Sequence, residues 1–144
     1  MHEMEEIFDP LRKKKVKLTP EEHVRQWFIT LLNKSAGVPV THMMSEVTLR
    51  LGKKTFRADI VVYDRVLNAV CIVECKEPSV PLDKSVLEQA IRYNMAMEVP
   101  YICITNGEST RVCRRRNGSG NIYDFINYLP GYDEMSGAKP TNGK

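Results

Sequence analysis

Three charged residues sit where charge is costly. Asp59 interrupts the apolar run ADIVV, and Glu74 and Lys76 close the run AVCIVECK. Side chains alternate across a strand, so Glu74 and Lys76 share one face and Cys75 points to the other. Charges at the end of a buried strand must be paired, hydrogen-bonded or metal-bound, because uncompensated burial costs several kcal/mol. If the strand carrying Asp59 is the hairpin neighbour of the one carrying Glu74, all three residues meet. Two carboxylates alone repel, and a divalent cation between them removes that penalty. Carboxylate oxygens, the backbone carbonyl of Cys75 and water form a donor set suited to Mg²⁺ or Mn²⁺ rather than zinc. Lys76 would then orient or help deprotonate a water, a nucleophile fit for hydrolysing a phosphodiester. The plainer alternative is a structural Glu–Lys pair at a sheet margin with Asp59 unrelated, because a D…ExK spacing is short and common.

The elements that must position these residues are legible around them. TPEE (19–22) is a helix start, with Thr19 as N-cap, Pro20 at the first position and Glu22 completing a capping box. Val24, Trp27, Phe28 and Leu31 follow as an apolar stripe. Strands are expected over 44–51, where Val47, Leu49 and Leu51 alternate, over 55–64 and over 69–76, with a hairpin turn at LGKK. The strand 69–76 is apolar on both faces, as in a sheet covered on both sides. A second helix spans 82–98 and a buried strand runs over 99–107 to an Asn-Gly turn. TRVCRRR is read as an edge strand, IYDFINYL (122–129) as a short amphipathic helix, and 131–144 as a flexible tail. Residues 1–17 are read as a basic arm. The order α-β-β-β-α-β implies an α/β fold with a mixed sheet flanked by helices.

The 144 residues are the size of one domain, and 42% hydrophobic with 27% charged residues is ordinary for a globular chain. No apolar run approaches the ~20 residues needed to span a membrane. The first residues lack an apolar signal core, which points to the cytoplasm. The four cysteines match no zinc spacing. The net charge of +3 is local: RKKKVK (12–17) carries five positive charges and RVCRRR (111–116) four, so the remainder is acidic. Such patches suit a polyanion, though solvated charge runs have the same composition.

Asp59 followed after fourteen residues by Glu74-Cys75-Lys76 resembles the PD-(D/E)xK nuclease superfamily, with Ala58 in place of the usual proline. The segments EEHVRQWFITLL, RADIVVYD, VECKEPSVPL, EQAIRYN and ITNG further resemble the N-terminal nuclease domain of type I restriction enzyme R subunits. The resemblance implies a restriction-endonuclease-like αβββαβ core over 18–130. It also implies a Mg²⁺- or Mn²⁺-dependent DNA endonuclease with Asp59 and Glu74 on the metal and Lys76 assisting the water. Gln89 and Tyr93 match a Q-x-x-x-Y signature. At i and i+4 they share a helix face beside the site, where they would contact DNA or orient the lysine. Glu46, and behind it Glu22, are candidates for an additional carboxylate. Arg111, Arg114 and Arg115 are candidates for DNA backbone contacts. No GxxxxGK[ST] loop occurs, so ATP hydrolysis is not expected of this chain, and a translocase or specificity subunit is an expected partner. A homodimer is the expectation by analogy with small nucleases. Two other readings stay open: a catalytically silent DNA-binding or interaction module of the same fold, and a branched-DNA or repair nuclease.

Overall fold

A computed structural model describes residues 5–117 and 121–137. Among these residues, eight strands and three α-helices follow in order. They are β1 (Glu6–Asp9), β2 (Lys14–Lys17), α1 (Pro20–Lys34), β3 (Met43–Leu51), β4 (Lys54–Tyr63), β5 (Ala69–Cys75), α2 (Lys84–Asn94), β6 (Tyr101–Thr105), β7 (Thr110–Arg115), β8 (Tyr123–Ile126) and α3 (Tyr132–Met135). The main sheet runs β3-β4-β5-β6-β7-β8. Only β5 and β6 are parallel, joined by the crossover through α2; the other neighbours are antiparallel. The mixed sheet with helices on both faces is the expected architecture. Phe28 and Leu32 of α1 pack with Ile60, Val62 and Val73 on one face. Leu87 and Ala90 of α2 pack with Val61, Ile72 and Ile102 on the other.

Helix α1 begins as read, with the Thr19 hydroxyl accepting from the Glu22 N–H at 3.0 Å. The capping box is only half formed. The Glu22 carboxylate turns to Arg12, Arg25 and Gln26, while the Thr19 N–H donates to the Lys17 carbonyl. The buried stripe is also rotated from the expected one. Val24, Arg25, Phe28, Ile29 and Leu32 face the sheet, and Trp27 is exposed. A stripe at 25, 28, 29 and 32 is the natural inner face of a 3.6-residue period, so the charged Arg25 lies on the packing side.

At the site the sheet does something alternation alone does not foresee. Met43, Ile60 and Val62 belong to the α1 side, yet Ala58 lies among the α2-side residues, and Val47 and Leu49 pack against them. Both strands change face at the same level, where Glu46 lies opposite Asp59 in a register that continues unshifted from Ser45–Ile60 to Val47–Ala58. Glu46 adopts φ +52° there, a left-handed conformation uncommon for a residue with a side chain. This switch lets Glu46 and Asp59 both reach the α1 side.

Three terminal expectations are corrected. The arm is a β1–β2 hairpin docked through Asp9, a fully buried carboxylate that accepts from Arg12, Ser45 and the Leu11 N–H. Residues 123–126 form a strand, not a helix, and cover β7, which is therefore not the edge. A run of Tyr, Phe and Ile close before Pro130 is better fitted to a pleat, and the open rim of β7 offers it backbone partners. The tail is ordered through α3: Tyr132 and Met135 are buried, and Tyr132 donates its hydroxyl to the Tyr63 carbonyl at 2.8 Å. Residues 138–144 of that tail lie outside the described residues. Because Met135 belongs to the core cluster of α1 and β5, Met135→Ala is expected to cost about 2–4 kcal/mol. Urea denaturation monitored by circular dichroism checks this, and a change below ~0.5 kcal/mol would place Met135 outside the core.

Candidate active site

Asp59, Glu74, Cys75, Lys76, Gln89 and Tyr93 all line one cavity of about 500 Å³, walled by the middle of β4, the end of β5 and one face of α2. The strand pairing explains the convergence. Ile60 sits opposite Val73, so the next position outward brings Asp59 level with Glu74. There the side chain enters the ladder itself: Asp59 Oδ2 accepts the Cys75 N–H at 2.7 Å. Glu74 is held from two directions. Its Oε1 accepts from Asn94 Nδ2 at 2.9 Å and its Oε2 lies 2.7 Å from Lys76 Nζ.

Asn94 also lines the cavity, a residue that the sequence analysis does not single out. It is buried, and the same amide nitrogen also donates to the Ala90 carbonyl, so the helix backbone fixes its orientation. A ligand's outer hydrogen-bond partners commonly govern metal affinity by 10–100-fold. Asn94→Ala is therefore expected to weaken Mn²⁺ binding by about tenfold or more, as read by isothermal titration calorimetry. Unchanged affinity would show that Glu74 needs no such support.

The two α2 residues of the Q-x-x-x-Y pair behave differently. Tyr93 packs edge-on against Phe56, with centroids 5.3 Å apart, and its hydroxyl accepts the Arg57 N–H at 2.9 Å. It thereby ties α2 to β4 at the cavity mouth. Gln89 is exposed and lines the cavity.

The third carboxylate that lines this cavity is Glu21, and neither Glu46 nor Glu22 reaches it. Both oxygens of Glu46 meet guanidinium groups, Arg25 at 3.0 Å and Arg57 at 2.9 Å, and Glu22 is engaged by Arg12, Arg25 and Gln26. Both line a neighbouring cavity of about 470 Å³ rather than the first. Glu21 is the acidic residue that lines both cavities together with Asp59. Burial raises the Glu21 pKa, and the adjacent Asp59 charge raises it further. Glu21 stands one turn before Arg25 and its side chain stays half exposed at the cavity rim.

Arg25 organises this acidic cluster. Only 4% exposed, its guanidinium contacts Glu22, Glu21 at 3.2 Å, Glu46 at 3.0 Å and Asp59 at 2.9 Å. Burial opposes its charge, but the hydrogen bond to Asp59 and the surrounding carboxylates hold its pKa above the ordinary value. Its Nε is the buried side-chain donor left without a partner among the described residues.

The donor types in the cavity fit a hard divalent cation. Glu21, Asp59 and Glu74 supply carboxylate oxygens, and among the described residues no three His, Cys, Asp or Glu side chains form a ready-made cage. One or two carboxylates with several waters is the usual Mg²⁺ arrangement, whereas Ca²⁺ and Zn²⁺ take fuller protein shells. The Cys75 side chain is buried in the core cluster on the α1 side of the sheet, so its backbone oxygen is the candidate ligand.

Arg111, Arg114 and Arg115 lie elsewhere, on β7, with β6 between them and β5. None lines the cavity of Asp59 and Glu74. Arg111 stacks on Phe125 at 4.5 Å, Arg114 lies 3.8 Å from Glu134, and Arg115 lies 3.6 Å from Glu98. No helix among the described residues is long and apolar enough to cross a membrane.

The family model of the type I restriction enzyme R protein N terminus matches residues 20–130. A fragment of a putative HsdR subunit of a type I restriction enzyme from Vibrio vulnificus YJ016 is similar in fold, with a TM-score of 0.54 at 19% identity. The similarity covers 82% of this chain and 24% of that one, so the present chain spans about a quarter of its relative. No curated protein gives a significant match. The model match runs from the first turn of α1 to the end of the sheet and takes in every residue of the cavity, and the chain belongs to the family of type I restriction enzyme R protein N-termini.

Proposed function

We propose that this chain is a divalent-metal-dependent DNA endonuclease that hydrolyses phosphodiester bonds. The observation that carries the proposal is the meeting of Asp59, Glu74 and Lys76 in one solvent-accessible cavity. Asp59 and Glu74, with the Cys75 carbonyl, are the residues that would hold Mg²⁺ or Mn²⁺. The ion would supply Lewis acidity toward the phosphate and an acidified water. Lys76 keeps its ammonium on Glu74 while remaining open to the cavity. It is placed to orient the attacking water or to offset charge developing on the phosphate. The Tyr93 hydroxyl accepts from Arg57 and keeps its own proton for a phosphate oxygen. Gln89, exposed at the rim, is available to the substrate backbone.

The test is incubation of supercoiled, linear and branched DNA with the chain and Mg²⁺ or Mn²⁺, with EDTA as control. Metal-dependent nicking is the expected result. A marked preference for branched substrates would reassign the protein to junction or repair work. The type I context points to a separate translocase or specificity subunit as the partner that brings DNA to this site.

A second reading, a DNA-binding module without turnover, has one observation in its favour. The Arg25 guanidinium already satisfies Asp59 Oδ1, so an ion at Asp59 must share that carboxylate with a fixed positive charge. Duplex binding without cleavage under either metal would select it.

A further inference from the structure

We propose that the tip of the β3–β4 hairpin is the surface that grips the sugar-phosphate backbone of duplex DNA beside the catalytic cavity. This rests on the nuclease reading above and gives it a docking surface outside both basic runs that stand out in the sequence.

The stretch from Val47 to Ala58 carries Arg50, Lys53, Lys54 and Arg57 and no acidic residue. The pairing of Leu51 with Lys54 leaves a two-residue turn, Gly52-Lys53, with Gly52 at φ +63°. Such a turn holds the tip compact and its charges close together. Arg50 stands opposite Thr55, and Thr48 opposite Arg57. Arg50 and Arg57 are therefore diagonal neighbours on one face, while Lys53 crowns the tip. All four are exposed.

The patch is continuous with the cavity. Among the described residues, Arg57 and Lys76 are the only cations that line it. From Arg57 to Lys53 the chain advances about 13 Å at ~3.4 Å per residue. That matches roughly four nucleotides of one DNA strand at ~3.4 Å along the axis. The cavity itself holds Glu21, Asp59 and Glu74 and repels phosphate, so anchoring charge has to sit on its margin, which is where the hairpin stands.

Arg50, Lys53 and Lys54 have no ion pair among the described residues, whereas Arg114 lies near Glu134 and Arg116 is paired with Asp124. A cation already neutralised within the fold releases fewer counterions on meeting DNA and contributes less to binding. The lysines of the β1–β2 hairpin are equally exposed, and what sets the β3–β4 tip apart from them is its continuity with the cavity through Arg57.

The experiment measures binding of the full 144-residue chain to a short duplex by fluorescence anisotropy, in EDTA, from 50 to 200 mM salt. The wild type is compared with Arg50→Gln/Lys53→Gln/Lys54→Gln and with Arg111→Gln/Arg114→Gln, each checked for folding by circular dichroism. The hairpin variant is expected to lose at least tenfold in affinity, and its slope of log K against log salt should shrink by roughly 2–3, one step of ~0.9 per lost phosphate contact. The β7 variant should bind like the wild type. If the wild type binds and the hairpin variant matches it in affinity and slope, or if only the β7 variant fails, the proposal is overturned. If the wild type binds no duplex, the proposal is overturned, while the nuclease reading is decided separately by the cleavage assay with Mg²⁺ or Mn²⁺. If DNA is held through the hairpin but never cut under Mg²⁺ or Mn²⁺, the surface stands and the nuclease reading falls.

Discussion

Glu74→Gln is expected to reduce Mg²⁺-dependent cleavage by about 10³-fold or more, and Lys76→Met by about 10²–10³-fold, with the fold intact in both. The magnitudes follow from the roles. A neutral amide in place of Glu74 removes one of the two carboxylates proposed to hold the metal, while its oxygen can still accept the Asn94 hydrogen bond. Loss of Lys76 removes a fixed positive charge near the reacting phosphate, and losing one preorganised donor of this kind costs about 10²–10³ in rate. The Glu74 and Lys76 side chains are partly buried, at 21% and 34% exposure, so circular dichroism of both variants separates loss of chemistry from loss of fold. The two variants also separate binding from chemistry. Glu74→Gln should weaken Mn²⁺ binding in calorimetry, whereas Lys76→Met should leave it unchanged or tighten it, since a competing cation is gone. Cleavage at wild-type rates in either variant would remove that residue from the mechanism.

The sheet and the site were legible to different depths, for reasons specific to each. Strands β3 to β6 and helices α1 and α2 announce themselves because their apolar periods are long and their ends carry clear punctuation: Thr19-Pro20, Gly52, Asn106-Gly107. Asp59, Glu74 and Lys76 stand out because each violates a strongly apolar run. What stayed hidden depends on contacts between distant segments. The face change at Glu46 and Asp59 leaves the register unaltered and has no local signature, so alternation counted from either strand end misplaces Asp59. Arg25 was masked because Trp27 drew the stripe onto the wrong face, although 25, 28, 29 and 32 form a better helical repeat. Residues 123–126 become a strand only because β7 presents an open rim. Tyr132 is held by the backbone carbonyls of Ala36 and Tyr63, and Met135 enters the core on the same short helix.

Arg25→Met is expected to destabilise the chain by about 3–5 kcal/mol at neutral pH, the second large effect in the molecule. A methionine fills much the same space, so the loss is electrostatic. Without the guanidinium, Glu21, Glu22, Glu46 and Asp59 are left facing Arg12 and Arg57, and removing one partner from a buried ionic group costs about this much. The pH dependence gives the mechanism a sign. Glu21 already has a raised pKa from burial and from Asp59, and Arg25 is the neighbour that lowers it. In the variant it rises further, and a carboxyl with a raised folded-state pKa stabilises the fold only while protonated. The deficit relative to wild type should therefore be widest at neutral pH and should narrow as pH falls through the glutamate range. Arg25→Lys should recover only part of the loss, because one ammonium cannot span the four carboxylates that the planar guanidinium reaches. Urea denaturation of both variants at several pH values tests this. A deficit independent of pH would assign Arg25 to packing, and the acidic cluster beside Asp59 would then need another counter-charge.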